Sequence, residues 1–473
     1  MLVSPVLIVV AVYLFGHWLA GAAVATLIAI WYLLRREDDE GPPVLALAMT
    51  IQWLQVTAGV FYTGLTGRAL SATDAPDTDR MVLIGLGCVM ALTMGLWVGA
   101  RQVRERMPKP ANAPNELVGW RLLVGLYVGA LVGTGVMQQL AWSYPTLTQA
   151  IFALSFTHLA ILFLMLRRLT RPVLRPELIV PLLALEVALG FTGYFSNFKE
   201  PLLLAGLAML ETFDTRRVQH WVVSGVLAAV LGTALVTWMG VRGEYRQEID
   251  EQWLDASRTA RLQRMQALLT EWLRERDDRV QHDLDVLADR VWAIYYPSLA
   301  IGRVPDVLPH TDGELMAGAL LHLVTPRILF PNKPDLPSDS DLVRKYSGIY
   351  VAGVEQNTSI AFGYAAEAYV DFGVPMMFVP VVLFGVFMGA MYEWFLRTLH
   401  HRELAITLVT VVFWLALYLF ERSFARTVGL SLTMMVYLGG LSFLTDRWLL
   451  MRDVYDEQAH AHAPVPVYDE AVR

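Results

Sequence analysis

The sequence predicts an all-α, multi-pass membrane protein with about twelve transmembrane helices and one large segment outside the bilayer. Hydrophobic residues make up 55% of the chain and charged residues only 17%, whereas soluble proteins average about 45–50% and about 25%. Long apolar runs recur along the chain, and about 20 apolar residues in a helix cross the hydrocarbon core of a bilayer. The net charge of -7 argues against nucleic acid as a partner, because binding its phosphates requires clustered cations.

Twelve apolar stretches are candidates for crossing the bilayer. They are residues 4–17, 18–34, 43–63, 81–100, 117–139, 147–166, 177–195, 198–213, 220–241, 374–396, 404–420 and 427–447. The first two form one apolar run with a soft break at Gly16, His17 and Trp18, so the predicted number of spans is 11 to 12.

The distribution of Lys and Arg orients these spans. Short cytoplasmic loops collect cations, and the cations cluster in alternate loops, at residues 35–36, 101–109, 167–175, 216–217 and 397–402. By this alternation the long segment after residue 241 lies outside the cytoplasm. The chain is therefore divided into an N-terminal transmembrane bundle of about nine spans (1–241), an external helical segment (242–373), C-terminal transmembrane helices (374–447) and a cytoplasmic tail (448–473).

The external segment has two parts with different patterns. Residues 243–296 repeat apolar side chains at helical spacing among many charges, which predicts two or three amphipathic helices with solvated outer faces. After Pro297 short stretches alternate with Gly and Pro, and their aliphatic and aromatic content argues against disorder. We therefore expect an ordered lid or cleft wall over the outer end of the bundle.

The stretch "LVTPRILFPNKPDLPSD" at residues 323–339 contains four prolines, which lock backbone angles and remove hydrogen-bond donors. It predicts a stiff loop that presents Arg327 and Lys333. Three further cations complete a set near the external membrane surface: Arg303, Arg344 and Lys345. Such groups hold phosphates, although pairing with nearby surface acids is the alternative. No Cys, His or carboxylate spacing matches a metal-ligand motif, so no metal is expected.

Ionisable residues at membrane depth are functional candidates, because burying their charge is costly. Lys199 follows "GYFSNF" at the external mouth between two predicted spans. It is either a binding residue or a lysine that extends to the membrane interface. Glu186 and Glu211 are weaker candidates, since pairing within the bundle explains them equally well.

The stretch "YAAEAYVDFG" supplies a candidate general base. Glu367 lies near the predicted start of a span, where partial desolvation would raise its pKa and suit it to accept a proton from a hydroxyl. Asp371 follows on the same helix face. The alternatives are an ion pair between Glu367 and one of the cations, or His310 or His322 as the base.

Several of these features together resemble the O-antigen polymerase superfamily, the oligosaccharide repeat-unit polymerases. The features are about twelve spans, a large external loop late in the chain, "TPRILFPNKP" within that loop, and "NTSIAFGYAAEAYVDFG" before the closing spans. The segment "GYFSNFKEPLL" is similar to the family's external-edge segment with a basic residue, which is usually arginine and is Lys199 in this sequence.

The resemblance implies a GT-C-like fold shared with the O-antigen ligases, and a glycosyltransferase of the bacterial inner membrane. Such enzymes polymerise lipid-linked repeat units into O-antigen, capsule or exopolysaccharide on the periplasmic face. The implied donor is an undecaprenyl (polyprenyl) diphosphate-linked oligosaccharide, with no cofactor and no metal, and direct attack inverts the anomeric centre. Besides the lipid bilayer, a chain-length regulator or export protein is an implied partner.

The resemblance also implies roles for the candidate residues. Glu367 and Arg327 are expected to be catalytic, Glu367 as the base and Arg327 by stabilising the departing diphosphate. The expected substrate-binding residues are Lys333, Lys199, Arg303, Arg344, Asn357, Asp371 and His310.

Three alternatives stay open at this point. A ligase that passes finished glycan to another acceptor would share the donor and the leaving group. A transporter or flippase of lipid-linked sugars would show internal repeats and helices broken near the midplane, and the sequence shows no repeat. A non-catalytic subunit of a polysaccharide export machine would bind the donor without turnover.

Overall fold

The computed structural model describes residues 3–35, 41–108, 119–143, 148–171, 173–191, 199–252, 258–325, 330, 332, 335–356 and 358–461. These residues form α-helices and no β-strand. The first ten helices are α1 (Val3–Phe15), α2 (Trp18–Leu34), α3 (Val44–Thr66), α4 (Thr78–Arg106), α5 (Trp120–Ser143), α6 (Thr148–Ser155), α7 (Thr157–Thr170), α8 (Pro176–Phe191), α9 (Lys199–Glu211) and α10 (Val218–Gln252). The others are α11 (Arg258–Arg274), α12 (Arg276–Val291), α13 (Tyr295–Ile301), α14 (Glu314–Val324), α15 (Asp339–Ser347), α16 (Tyr364–Phe372), α17 (Phe378–Thr398), α18 (Arg402–Leu417) and α19 (Phe424–Ala461).

The all-helical class predicted from the sequence is confirmed for the described residues. Each predicted span coincides with a helix, and the stretch 147–166 coincides with two, α6 and α7, which meet at Phe156. Within the described part, 7 helical stretches are long and apolar enough to cross a membrane: Val44–Thr66, Thr78–Arg106, Trp120–Met137, Ala153–Thr170, Val218–Tyr245, Phe378–Thr398 and Phe424–Arg452. The total number of crossings and the GT-C-like architecture stay predictions.

The break in the N-terminal apolar run lies where the sequence predicts it. Gly16 has a φ of +65°, a left-handed conformation that glycine adopts at no steric cost. His17 caps α2, because its Nδ1 accepts a hydrogen bond from the backbone N–H of Leu19 at 3.3 Å. The helices α1 and α2 pack so closely that a methyl group at Gly21 would lie 2.6 Å from a methyl carbon of Val12. The first two apolar stretches are therefore separate, paired helices.

Helices α4 and α17 pack closely against each other. Gly95 and Gly99 on α4 face Gly385 and Gly389 on α17. A methyl group at Gly95 would lie 2.8 Å from the Cα atom of Gly385, and one at Gly385 would lie 2.7 Å from the carbonyl oxygen of Leu92. Glycine at these positions lets the two backbones touch, as in many helix pairs within membranes.

We expect Gly99→Val to destabilise the bundle, because the new side chain would clash with the carbonyl oxygen of Val386. The expected cost is about 3 kcal/mol or more, since backbone must move to relieve the overpacking. The matched control is Gly129→Val on α5, where an added Cβ meets nothing within 4 Å. Thermal unfolding of the purified variants measures the difference, and equal melting temperatures would contradict the tight packing of α4 on α17.

The external segment begins with the end of α10 and the helices α11 and α12, in agreement with the predicted amphipathic helices. Helix α12 is fastened to α3. Asp285 accepts hydrogen bonds from the Tyr62 hydroxyl at 2.5 Å and from Arg68 at 2.7 Å. Beyond the end of α12, Trp292 Nε1 donates to the carbonyl oxygen of Val56 at 2.9 Å. These contacts place the C-terminal end of α12 beside α3.

Four short helices, α13 to α16, complete the described part of the external segment. Helix α16 is almost wholly buried, from Tyr364 to Asp371. It follows Gly363, where a methyl group would lie 2.8 Å from the carbonyl oxygen of Phe420. The backbone N–H of Tyr364 donates to the carbonyl oxygen of Arg422 at 2.9 Å. Helix α16 therefore starts directly against the chain that joins α18 to α19.

Candidate functional site

The short chain between α18 and α19, residues 418–423, is named the connector. On the orientation predicted from the sequence it lies at the external end of the bundle. Three other elements reach it: the start of α9 through Lys199, the end of α12 through Arg290, and the start of α16 through Gly363. The connector therefore gathers parts of the chain that lie far apart in sequence.

Arg290 forms a two-pronged ion pair with Glu421 of the connector. Its Nη2 donates to Glu421 Oε1 at 2.7 Å, and its Nη1 donates to Glu421 Oε2. The charge of Glu421 raises the pKa of Arg290. Bidentate geometry of this kind fixes both partners, so the pair anchors the end of α12 to the connector.

Two cations lie against the ring of Tyr418 in the connector. Lys199 Nζ is 5.7 Å and Arg422 Cζ is 5.9 Å from the ring centroid, which is within the range of cation–π attraction. Glu200, the neighbour of Lys199, accepts a hydrogen bond from the Tyr418 hydroxyl at 3.3 Å. In the described part of the chain, neither cation forms an ion pair with a carboxylate.

Arg422 is held by main-chain oxygens. Its Nη1 donates to the carbonyl oxygens of Leu415 at 2.8 Å and Ala416 at 3.2 Å, which belong to the last turn of α18, where helical carbonyls lack intrahelical partners. Burial lowers the pKa of Arg422. Among the described residues, no acceptor contacts its Nε or Nη2. Part of the guanidinium fork is therefore open to an anion, and its planar geometry matches phosphate.

Glu367 lies next to the connector on the buried face of α16. Its Oε2 accepts a hydrogen bond from the backbone N–H of Phe424, the first residue of α19, at 2.8 Å. Burial raises the pKa of Glu367 to about 8, and the charges of Asp339 and Asp371 add to this effect, against the opposing hydrogen bond from Phe424. The sequence-based expectation of a raised pKa therefore has a physical cause in the structure.

Arg426, in the first turn of α19, binds two residues of the external segment. Its Nε lies 2.8 Å from Asp339 Oδ2, and its Nη2 donates to Ser359 Oγ at 2.6 Å. Asp339 begins α15. The start of α15 and the chain before α16 are thereby tied to the start of α19.

The structure gives Arg344 partners away from the connector. It forms ion pairs with Glu355 and, at 3.4 Å, with Asp341. Its Nε donates to the carbonyl oxygen of Val351 at 2.8 Å, and its Cζ lies 4.6 Å from the centroid of the Tyr350 ring. This geometry favours the surface ion pair that was the alternative to phosphate binding.

Asp371 and His310 join the end of α16 to the chain around the start of α14. Asp371 accepts hydrogen bonds from the Thr311 hydroxyl at 2.5 Å and from the backbone N–H groups of Leu315 and Met316 at 3.1 and 2.8 Å. His310 Nδ1 lies 3.1 Å from the carbonyl oxygen of Val370. A carboxylate at a helix N-terminus stabilises the helix, which explains Asp371 without a substrate.

Arg303 lies apart from the connector, at the C-terminal end of α15. A methyl group at Gly348, the C-cap of α15, would lie 2.7 Å from Arg303 Cζ. Its Nε is buried without a hydrogen-bond partner in the described residues. The negative end of the helix dipole favours a cation at this place. Substrate binding by Arg303 stays a prediction.

The remaining predicted residues fall into two groups. Glu186 and Glu211 are paired within the bundle, Glu186 with Tyr127 and with His158 at 2.8 Å, and Glu211 with Arg167 at 2.8 Å. These contacts match the pairing alternative. Arg327, Lys333 and Asn357 lie outside the described residues, and their roles stay predictions.

Sequence reasoning missed the connector and Arg426. A signal for them was present in "YLFERSFAR", residues 418–426. Short external loops are usually poor in cations, yet this stretch between two predicted spans contains Arg422 and Arg426. On the predicted orientation this stretch lies on the cation-poor side of the membrane, which marks both residues as candidates.

Comparison with known proteins finds one family. Residues 116–394 match a family described as "Domain of unknown function (DUF8712)". The match covers more than half of the chain and includes Lys199, Arg290 and Glu367, and it ends before the connector. Neither a curated protein nor a solved structure matches the chain.

Proposed function

The chain belongs to the DUF8712 family, and we propose that it is a membrane glycosyltransferase. It polymerises oligosaccharide repeat units carried on undecaprenyl diphosphate, on the periplasmic face of the bacterial inner membrane. The convergence of Lys199, Arg422 and Glu367 on the connector is the observation that carries this proposal.

The cations of the connector would stabilise the departing group. In this transfer a lipid diphosphate leaves the sugar, and its negative charge grows as the bond breaks. Lys199 and Arg422 lie around one phenol ring, and no carboxylate pairs with either among the described residues. Fixed cations in a partly buried site act strongly on such charge, because little reorganisation is needed. Arg327 and Lys333 stay predicted members of the same set.

Glu367 is the proposed base. One of its oxygens is held by the N–H of Phe424, and the other has no hydrogen-bond partner among the described residues. The acceptor hydroxyl oxygen attacks the anomeric carbon, the bond from that carbon to the diphosphate oxygen breaks, and the hydroxyl proton passes to Glu367. A base with a pKa of about 8 is strong, and part of it is ionised near neutral pH. Direct displacement inverts the anomeric configuration.

Reconstitution tests the proposal. The purified protein in liposomes, given an undecaprenyl diphosphate-linked oligosaccharide, should form a ladder of longer lipid-linked products on electrophoresis, with and without a chelator. The ladder separates a polymerase from a ligase, which would lengthen only a different acceptor. An unchanged donor that moves between leaflets would overturn the proposal in favour of a transporter, and a donor bound without turnover would favour an assembly subunit.

A further inference from the structure

The outer face of α14 is apolar. The helix has the sequence "ELMAGALLHLV", and its only residue with a full charge at neutral pH is Glu314 at the start. Its exposed side chains include Leu320 at 46%, Leu321 at 65% and Val324 at 67% exposure. The opposite face, with Met316 and Ala319, is buried in the protein. Helix α14 therefore presents hydrocarbon on both faces.

The exposed residues of α11 and α15 are mostly polar, although α11 also exposes Leu273 near its end. On α11 the exposed residues include Gln266 and Glu271, and on α15 they include Asp341 and Lys345. A helix between protein and water shows this division, whereas a helix that is apolar all round is enclosed by protein or lipid. Apart from Glu314 at its start and the partly exposed His322, helix α14 follows the second pattern although it belongs to the external segment.

The position of α14 brings this face to the side of a candidate transmembrane helix. Leu323 packs on Gly429 of α19, with its Cδ2 2.9 Å from the position of a Cβ at that glycine. Gly429 lies about 7.5 Å along α19 from its first residue, Phe424. Further along, α19 exposes apolar side chains such as Val436 and Leu444. The outer face of α14 is thus continuous with the apolar surface of a helix able to cross the membrane.

We propose that α14 is an interfacial helix whose Leu320, Leu321 and Val324 face lies among the lipid acyl chains of the outer leaflet. A helix of 11 residues is about 16 Å long and too short to cross the bilayer, so it is embedded on one side only. The external segment is then held to the membrane by lipid as well as by the bundle. This inference rests on the surface of α14 and does not depend on the proposed transferase activity.

Spin labelling of the full chain in phosphatidylcholine–phosphatidylglycerol vesicles tests the position of α14. Nitroxides are placed at Leu321→Cys and Val324→Cys in a Cys88→Ala background, which removes the buried native thiol. A nitroxide in lipid is accessible to molecular oxygen, whereas a nitroxide in water is accessible to a water-soluble nickel chelate. Leu444→Cys on α19 is the control for lipid, and Gln266→Cys on α11 is the control for water.

Labels on α14 should behave like the label at position 444. Their ratio of oxygen to nickel accessibility should be severalfold above that of the label at position 266. Nickel accessibility equal to that at Gln266 would place α14 in water and overturn the proposal. Protection from both reagents would also overturn it, because a second copy or another protein would then cover this face. Since both labelled positions are exposed, the cysteine substitutions leave the packing of α14 intact.

Discussion

Arg422→Ala is expected to lower the rate of glycan transfer by about 10²- to 10³-fold, the usual cost of removing one preorganised group that stabilises charge in a transition state. Arg422 has donors without protein acceptors in the described part of the chain, and it lies beside Tyr418 without a direct ion pair there, although the charges of Glu421 and Glu200 act on it from further away. Its loss would leave the departing diphosphate with less stabilisation. Initial rates of product formation in proteoliposomes at saturating donor measure the effect.

The matched control for Arg422 is Arg279→Ala on α12. Arg279 is a partly exposed external arginine in an ion pair with Glu275 at 2.7 Å, and such pairs contribute little, so its rate should stay close to that of the wild type. Arg422→Lys keeps the positive charge but lacks the planar guanidinium group, so it should recover part of the transfer rate. Wild-type rate in folded Arg422→Ala would remove this residue from the site. If neither Arg422→Ala nor Arg422→Lys folds, Arg422 serves only as an anchor of α18.

The rate of transfer is expected to rise with pH and to level off above about pH 8, because Glu367 must be ionised to act as a base and burial raises its pKa to about 8. Below that pKa the rate should fall about tenfold per pH unit. Glu367→Gln keeps an oxygen to accept the N–H of Phe424 but takes up no proton. Its rate should be lower by about 10²-fold or more and independent of pH.

The stability of the folded protein should show the opposite dependence on pH. Between the ordinary pKa of 4.5 and the folded value of about 8, the folded protein keeps a proton on Glu367 that the unfolded chain has released. The free energy of unfolding therefore falls as pH rises through this window, by about 1.4 kcal/mol per pH unit at most. Thermal unfolding at several pH values should show a smaller dependence of stability on pH for Glu367→Gln than for the wild type.

A wild-type transfer rate that does not change with pH would exclude Glu367 as the base.

Most of the helical framework could be predicted from hydrophobic length and charge alone. The predicted stretch 43–63 is α3 (Val44–Thr66), and the predicted break at residues 16–18 separates α1 from α2. The division of 147–166 into α6 and α7 was missed. A break of one or two residues leaves the average hydropathy of the stretch unchanged, so span length carries no signal for it.

The candidate site could be predicted in part. Lys199 and Glu367 were identified because ionisable residues stand out at the edge of apolar runs, and the structure places both beside the connector. Glu367 and Asp371 share a helix face, yet Glu367 binds the start of α19 and Asp371 binds the start of α14. Helix periodicity gives the direction of a side chain and not the element that it meets.

The sequence by itself determined that the chain is helical and where its apolar helices lie, and it predicts which side of the membrane is poor in cations. These properties depend on local composition, because an apolar helix satisfies its own backbone hydrogen bonds within the segment. Among the described residues, only the tertiary structure decided which cations have a carboxylate partner and which have none. Arg344 has Glu355 within reach, whereas Arg422 meets main-chain oxygens and the Tyr418 ring. Pairing depends on distances between residues remote in sequence, and those distances are set by how the helices pack.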